Sequence, residues 1–234
     1  MESYAYIADN LARIRARCAE RALALGVPTP KILAVTKSAS AEEVCALVSE
    51  AGQDAIAENR TSLFLERYEM FTDEKRPEMH LIGSLQTNKV KYIAGKVALI
   101  HSLDSLRLAA EIEKQAAKRD VRIRALIEIN SGKEEAKGGL LFDEVEVFAA
   151  KVRENYPHVV LSGLMTMAPN CPTSEEYRPY FRETASLFHR LSSGGFFEGE
   201  PVLSMGMSGS YEVAIEEGAT VVRVGRALFA RESV

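Results

Sequence analysis

The 234 residues carry 33 acidic and 29 basic side chains, for a net charge of −4, and 47% of them are hydrophobic. That balance disfavours a polyanion such as nucleic acid as partner and supplies apolar surface for one sizeable core. Cys18, Cys45 and Cys171 form no CxxC, and His80, His101, His158 and His189 form no HExxH or similar spacing, so neither a disulfide framework nor a metal site is indicated.

A helix is expected over 3–25, with Ile7, Leu11, Ile14, Cys18, Ala22 and Leu25 on one side and Gly26 and Pro28 ending it. The stretch Lys31-Ile-Leu-Ala-Val-Thr-Lys37 then reads as a buried strand ending in a lysine. Alternation puts Leu33, Val35 and Lys37 on one face and Ile32, Ala34 and Thr36 on the other. Ser40-Ala-Glu-Glu43 is a capping box, so a helix follows at once and stops at Gly52. Six more strands are expected at 54–58, 79–83, 97–101, 122–130 (the longest), 159–165 and 202–205, each followed by a helical stretch. An eighth, Thr220-Val-Val-Arg-Val224, precedes Gly225-Arg226. Eight strands alternating with helices, unbroken by a linker, predict a single α/β domain over 1–234, a (β/α)8 TIM-like barrel with an extra N-terminal helix. The charged opening (Glu2, Asp9, Arg13, Arg15, Arg17) and the lack of a long apolar run lead us to expect no signal peptide, no membrane span and a cytoplasmic location. The histidines read as ordinary structural or surface residues.

Chemistry in such a barrel concentrates at the carboxyl ends of the strands. Three features fall there. Lys37 ends the first strand; an ammonium in that position is costly to bury unless it has a partner or a covalent role, and the plainer reading is a lysine reaching back to water. The turn Ser204-Met-Gly-Met-Ser-Gly-Ser210 and the dipeptide Gly225-Arg226 follow strands seven and eight, where such barrels often build phosphate sites; the plainer reading is tight turns alone. Arg223 lies opposite in phase to Val222 and Val224 and so should point into the barrel, with a buried ion pair to Glu128 as the structural alternative. A lysine for an aldehyde, helix starts for a phosphate and an arginine for a ring nitrogen suggest pyridoxal 5′-phosphate (PLP). A Schiff-base aldolase competes, although the sixth strand holds no lysine.

Across nearly the whole chain, in order, stand AVTK at Lys37, AENR at 57–60, HLIGSLQTNK at 80–89, EIN…EEAKGG at 128–139, GLMTMAP at 163–169, LSMGMS at 203–208 and VVRVG at 221–225. In these stretches the sequence resembles the pyridoxal-phosphate homeostasis protein family, single-domain relatives of the alanine racemase barrel. The resemblance implies that Lys37 carries PLP as a Schiff base and that Arg223 faces its pyridine nitrogen. It further implies that Ser208, Gly209, Gly225 and Arg226 line the phosphate, with Asn59 and Met205 near the cofactor. Departures from the family pattern fall at Gly209-Ser210, at Gly218-Ala-Thr220 and at Phe229-Ala230, which bear on the phosphate contacts made by side chains. The implied role is to bind and buffer the cofactor, with apo-PLP enzymes as recipients, as a monomer and without an established catalytic activity. A PLP-dependent racemase is the alternative. Racemisation needs an acid/base on each face of the substrate carbon. In the racemases a second, β-rich domain supplies one of them as a tyrosine, for which the sequence to Val234 is expected to leave no room. Tyr211 is the one substitute to consider.

Overall fold

The structure, a computed structural model, describes residues 4–134 and 138–231. The apolar runs form eight parallel strands: β1 (Lys31–Val35), β2 (Ala55–Glu58), β3 (Glu78–Leu81), β4 (Leu99–Leu103), β5 (Ile123–Ile129), β6 (Val159–Thr166), β7 (Val202–Ser204) and β8 (Val221–Val224). Each pairs with the next, and β8 pairs with β1, closing the barrel with Leu33 opposite Arg223. Each strand is followed by a helix: α2 (Ala41–Cys45), α3 (Thr61–Glu69), α4 (Thr87–Ile93), α5 (Leu106–Ala117), α6 (Val145–Asn155), α7 (Arg178–Ser193), α8 (Tyr211–Glu216) and α9 (Arg226–Phe229). The expected capping box starts α2, with Glu43 N–H donating to Ser40 Oγ and Ser40 N–H to Glu43 Oε2.

The additional helix α1 (Ala5–Leu25) buries Ile7, Leu11, Ile14, Cys18 and Ala22 of the expected stripe, while Leu25, expected on the same side, is exposed at the helix end. Its Asn10 donates to the carbonyls of Leu228 and Ala230 at 3.0 and 2.9 Å. Those carbonyls end α9, so α1 supplies donors that the end of a short helix lacks.

Strand alternation sorts the core into two layers. Ile32, Ala34, Ile56, Ile100, Ile127, Leu164, Val222 and Val224 face the helices and form the large apolar layer. Leu33, Ala55, Ala57 and Val221, and separately Leu99, Leu126 and Met165, fill parts of the interior. The interior also holds His80, His101, Ser204 and Arg223, all buried.

Several boundaries differ from expectation, among them β3, which runs Glu78–Leu81 instead of 79–83, and three differences matter most. β1 leaves the ladder at Val35, and Lys37 sits in the turn that follows. β4 begins and ends two residues later than expected, so His101 is a mid-strand residue rather than a strand end. β6, not β5, is the longest strand: the pairing passes from Ala125 with Leu161 to Leu126 with Gly163, so β6 carries one extra residue, Ser162, at the shift. Gly163 has φ +142°, and a Cβ there would lie 1.9 Å from the Val202 carbonyl oxygen. No L side chain fits either condition. Gly163→Ala is therefore expected to lower stability by about 3 kcal/mol or more. Denaturant unfolding should show a lower midpoint at unchanged slope.

Candidate functional site at the carboxyl mouth of the barrel

The turn carrying Lys37 is clamped from behind. Thr36 N–H continues onto the Ala57 carbonyl at 3.1 Å, and Thr36 Oγ1 donates to Glu58 Oε1 at 2.5 Å. Arg67 of α3 lies 3.8 Å from the same Glu58 oxygen and donates from Nη2 to the Ala39 carbonyl at 2.7 Å. Glu58 is fully buried; desolvation raises its pKa, with the Thr36 bond and Arg67 opposing that. Thr36 and Ala39 are thus held from both sides while Lys37 and Ser38 between them are exposed. Lys37 opens into a cleft of about 510 Å³ shared with Ser38, Asn59, Arg60, Ser62, Leu63 and Glu66. Asn59 Oδ1 is buried with no hydrogen-bond partner from the protein. Glu58 and Arg67 escaped the sequence reading; the one available signal was a charged residue on the helix-facing phase of a short buried strand.

The turns after β7 and β8 meet. Ala227 N–H, in the first turn of α9, points at Ser208 Oγ at 3.4 Å. Met207 N–H donates to Ser210 Oγ at 3.2 Å, and Tyr211 N–H to the Met207 carbonyl at 2.9 Å, which folds the loop back on itself. A Cβ on Gly209 would meet nothing within 4 Å, so this stretch of backbone faces open space. Gly225 is different. A Cβ there would stand 3.0 Å from the Val35 carbonyl oxygen and 3.2 Å from Val35 Cβ, so its bare backbone is already used by β1. Arg226 is exposed beside it. Met205 alternates with the inward Ser204 and is fully buried in the helix-facing layer, leaving its backbone as the part near the mouth.

Arg223 points inward, as alternation predicts, and is 3% exposed. Nη1 donates to Ser204 Oγ and Nη2 to the Thr166 carbonyl, both at 2.8 Å. Burial pulls its pKa down to about 10, and Glu128 pulls the other way. The Glu128 alternative thus resolves into a through-space influence, with a hydroxyl and a carbonyl taking the direct bonds. Glu128 is itself buried, and its carboxyl is pushed up to about 7, first by desolvation and then by Asp104, against the pull of Arg223. Behind Ser204 stands His101, with Nδ1 at 3.1 Å from Oγ, and behind that His80, with Nδ1 at 2.9 Å from His101 Nε2. Burial lowers both imidazole pKa values. Sequence reading passed over this pair as ordinary histidines. Inward phase shared with Ile82 just after β3 and with Leu99 on β4 was the signal that could have placed them in the interior. Among the described residues no three His, Cys, Asp or Glu side chains gather as a metal site, and no helix is long and apolar enough to cross a membrane.

This barrel and mouth define a class. The family model described as alanine racemase, N-terminal domain, matches residues 4–232. The alanine racemase of Corynebacterium glutamicum superposes with a TM-score of 0.73 at 17% identity, over 98% of this chain and 62% of that one, a likeness of fold. Nearer relatives narrow the class. The pyridoxal phosphate homeostasis protein of Aquifex aeolicus is 44% identical over 94% of this chain and 93% of its own length. That of Escherichia coli K12 is 33% identical over 95% of each. PipY of Synechococcus elongatus, solved with PLP bound, superposes with a TM-score of 0.80 at 27% identity, covering 96% of this chain and all of that one. The chain belongs to the pyridoxal phosphate homeostasis protein family, as its motifs led us to expect.

The Glu128 carboxyl has a testable signature. Its folded pKa lies above the ordinary 4.5, so the folded state holds a proton that the unfolded state releases. Its contribution to stability is complete below about 4.5 and is lost as pH rises through about 7. Glu128→Gln removes that loss. Unfolding free energy plotted against pH should therefore fall more steeply for wild type than for Glu128→Gln across this window.

Proposed function

We propose that this protein binds PLP at the carboxyl mouth of the barrel and serves its homeostasis as a cofactor-holding protein rather than as an efficient catalyst. The observation that carries the reading is the placement, at the carboxyl ends of the strands, of three features suited to the three handles of one ligand. Lys37 is exposed in a turn held from behind, the turns after β7 and β8 meet at Ser208 and Ala227, and Arg223 is inside. Family membership and the PLP-bound relative support it.

The residues fit the group. Lys37 would supply the amine for the aldehyde of the group. Ser208, the bare backbone of Gly209 beside open space, Gly225 and Arg226 would hold the phosphate. Asn59, with Oδ1 lacking a protein partner, offers a polar contact beside Lys37, and Met205 contributes backbone. Arg223 commits single N–H groups to Ser204 and Thr166 and keeps others for the pyridine nitrogen. When bound, PLP supplies an electron sink. A guanidinium can only donate, so it favours an unprotonated ring nitrogen and a weaker sink. Racemisation also needs an acid/base on the second face of the substrate carbon. Tyr211 does not suit that place: its phenol interacts with Arg17 on α1. This points away from the racemase alternative. One observation favours proton-transfer activity: the Glu128 carboxyl at the mouth, with its pKa of about 7. Apo-enzymes that require the cofactor are the recipients this reading supplies, and a cytoplasmic monomer is the form it proposes.

Borohydride reduction of the PLP-loaded protein followed by peptide mapping should place the pyridoxyl group on Lys37. A main adduct on Lys89, or on Lys137, which lies outside the described residues, would overturn the assignment. Ser208→Ala should weaken PLP binding only about fivefold, the scale of one hydrogen bond of about 1 kcal/mol. Gly225→Val should weaken it far more and also lower the melting temperature, because Val35 occupies the space the side chain needs. With L-alanine in deuterated buffer, exchange of the α-proton should be slow and D-alanine absent. Rapid Lys37-dependent racemisation would identify a catalyst, with Glu128→Gln as the first variant to examine.

A further inference from the structure

A line of hydrogen bonds crosses the barrel interior from its amino-terminal mouth to Arg223. It starts at Glu78 Oε2, which accepts from Lys31 Nζ at 2.9 Å and lies 3.4 Å from His80 Nε2. His80 Nδ1 meets His101 Nε2 at 2.9 Å, His101 Nδ1 meets Ser204 Oγ at 3.1 Å, and Arg223 Nη1 reaches the same hydroxyl at 2.8 Å. His101 and Ser204 are fully buried and His80 is 4% exposed, while the side chain of Glu78 is 56% exposed. Barrels of this kind usually fill the interior with branched apolar side chains.

The two ends dictate where every proton in the line sits. Arg223 can only donate. Glu78 can only accept while it is ionised, and its bonds to His80 and Lys31, led by that to His80, hold its carboxyl near 2. His80 must therefore donate from Nε2, and as a neutral ring it accepts at Nδ1. His101 then donates from Nε2 and accepts at Nδ1 from the Ser204 hydroxyl, whose oxygen accepts from Arg223. Reversing the line would turn the lone pair of His80 Nε2 toward a carboxylate. Burial favours the neutral rings; Glu78, Lys31 and Arg124 face His80, and Arg223 faces His101.

We propose that Glu78, His80, His101 and Ser204 are positioning residues for the cofactor. Glu78, at the far mouth, sets the direction of the line, and the line fixes the Ser204 hydroxyl and with it the N–H groups that Arg223 presents to the pyridine nitrogen. This rests on the reading of Arg223 given above.

Two measurements test it, one without cofactor. Nitrogen-15 NMR of histidine-labelled apo-protein at about pH 7 should show His80 and His101 neutral with the proton on Nε2. Glu78→Ala, at an exposed side chain, should mix or reverse these tautomers. Glu78→Gln, whose carbonyl still accepts, should restore them. An imidazolium or an Nδ1–H ring at either position in wild type would overturn the proposal, as would unchanged tautomers in Glu78→Ala. The second measurement is the pH titration of the PLP absorbance in loaded protein. Glu78→Ala should shift its midpoint by roughly half a pH unit or more, the scale of one altered hydrogen bond, with Glu78→Gln close to wild type and the exposed control Glu198→Ala unmoved. A wild-type protein with no lysine-linked chromophore sinks the cofactor site, and the cofactor part of this proposal with it. A chromophore whose titration is the same in Glu78→Ala and wild type sinks this proposal alone.

Discussion

Burying a guanidinium inside a barrel is costly unless its donors are met, and much of the interior follows from that constraint. Among the described residues no carboxylate makes direct contact with Arg223, and its N–H groups meet neutral acceptors, Ser204 Oγ and the Thr166 carbonyl. A serine that accepts from an arginine has a hydroxyl proton left to place, which calls for His101, and His101 in turn calls for His80. The chain of requirements ends only where it meets Glu78 and solvent at the other mouth. Apolar clusters such as Leu33, Ala55, Ala57 and Val221 pack around this polar line.

The same economy of phase builds the mouth. On β7 the inward residue, Ser204, serves Arg223, while its neighbour Met205 packs into the helix layer. On β2 the helix-facing Glu58 holds Thr36 from behind, so the turn presents Lys37 outward. Closure of β8 onto β1 brings Gly225 against Val35. The turn after β8, far from Val35 in the chain, comes to lie beside the strand that leads to Lys37 because the sheet closes.

The likeness to the racemase barrel is one of framework. The superposition covers 62% of the Corynebacterium glutamicum enzyme at 17% identity, a likeness of fold. What a mouth of this design does depends on the groups that face each side of a bound ligand. Here Tyr211 interacts with Arg17 of α1, and Glu128 is the buried acid near Arg223. A shared fold leaves room for both binding and catalysis, and the distinction falls on a few side chains.

The strand and helix rhythm, the amphipathic stripe of α1, the capping box at Ser40 and the inward phase of Arg223 were all legible in the order of residues, because each depends on neighbours within a few positions. So were the candidate residues Lys37, Ser208, Gly209, Gly225 and Arg226, which fall where this barrel type places its loops. The extent of β1 and β4, the register shift at Gly163 and the partner of Arg223 were not, because each is decided by contacts between strands distant in sequence. The reason glycine stands at 225 also emerged only from the fold, since the atom that excludes a side chain belongs to Val35. Most of all, His80 and His101 carry no motif. Their meaning arises when closure of the sheet brings β3, β4, β7 and β8 around one axis and leaves a buried arginine in need of acceptors.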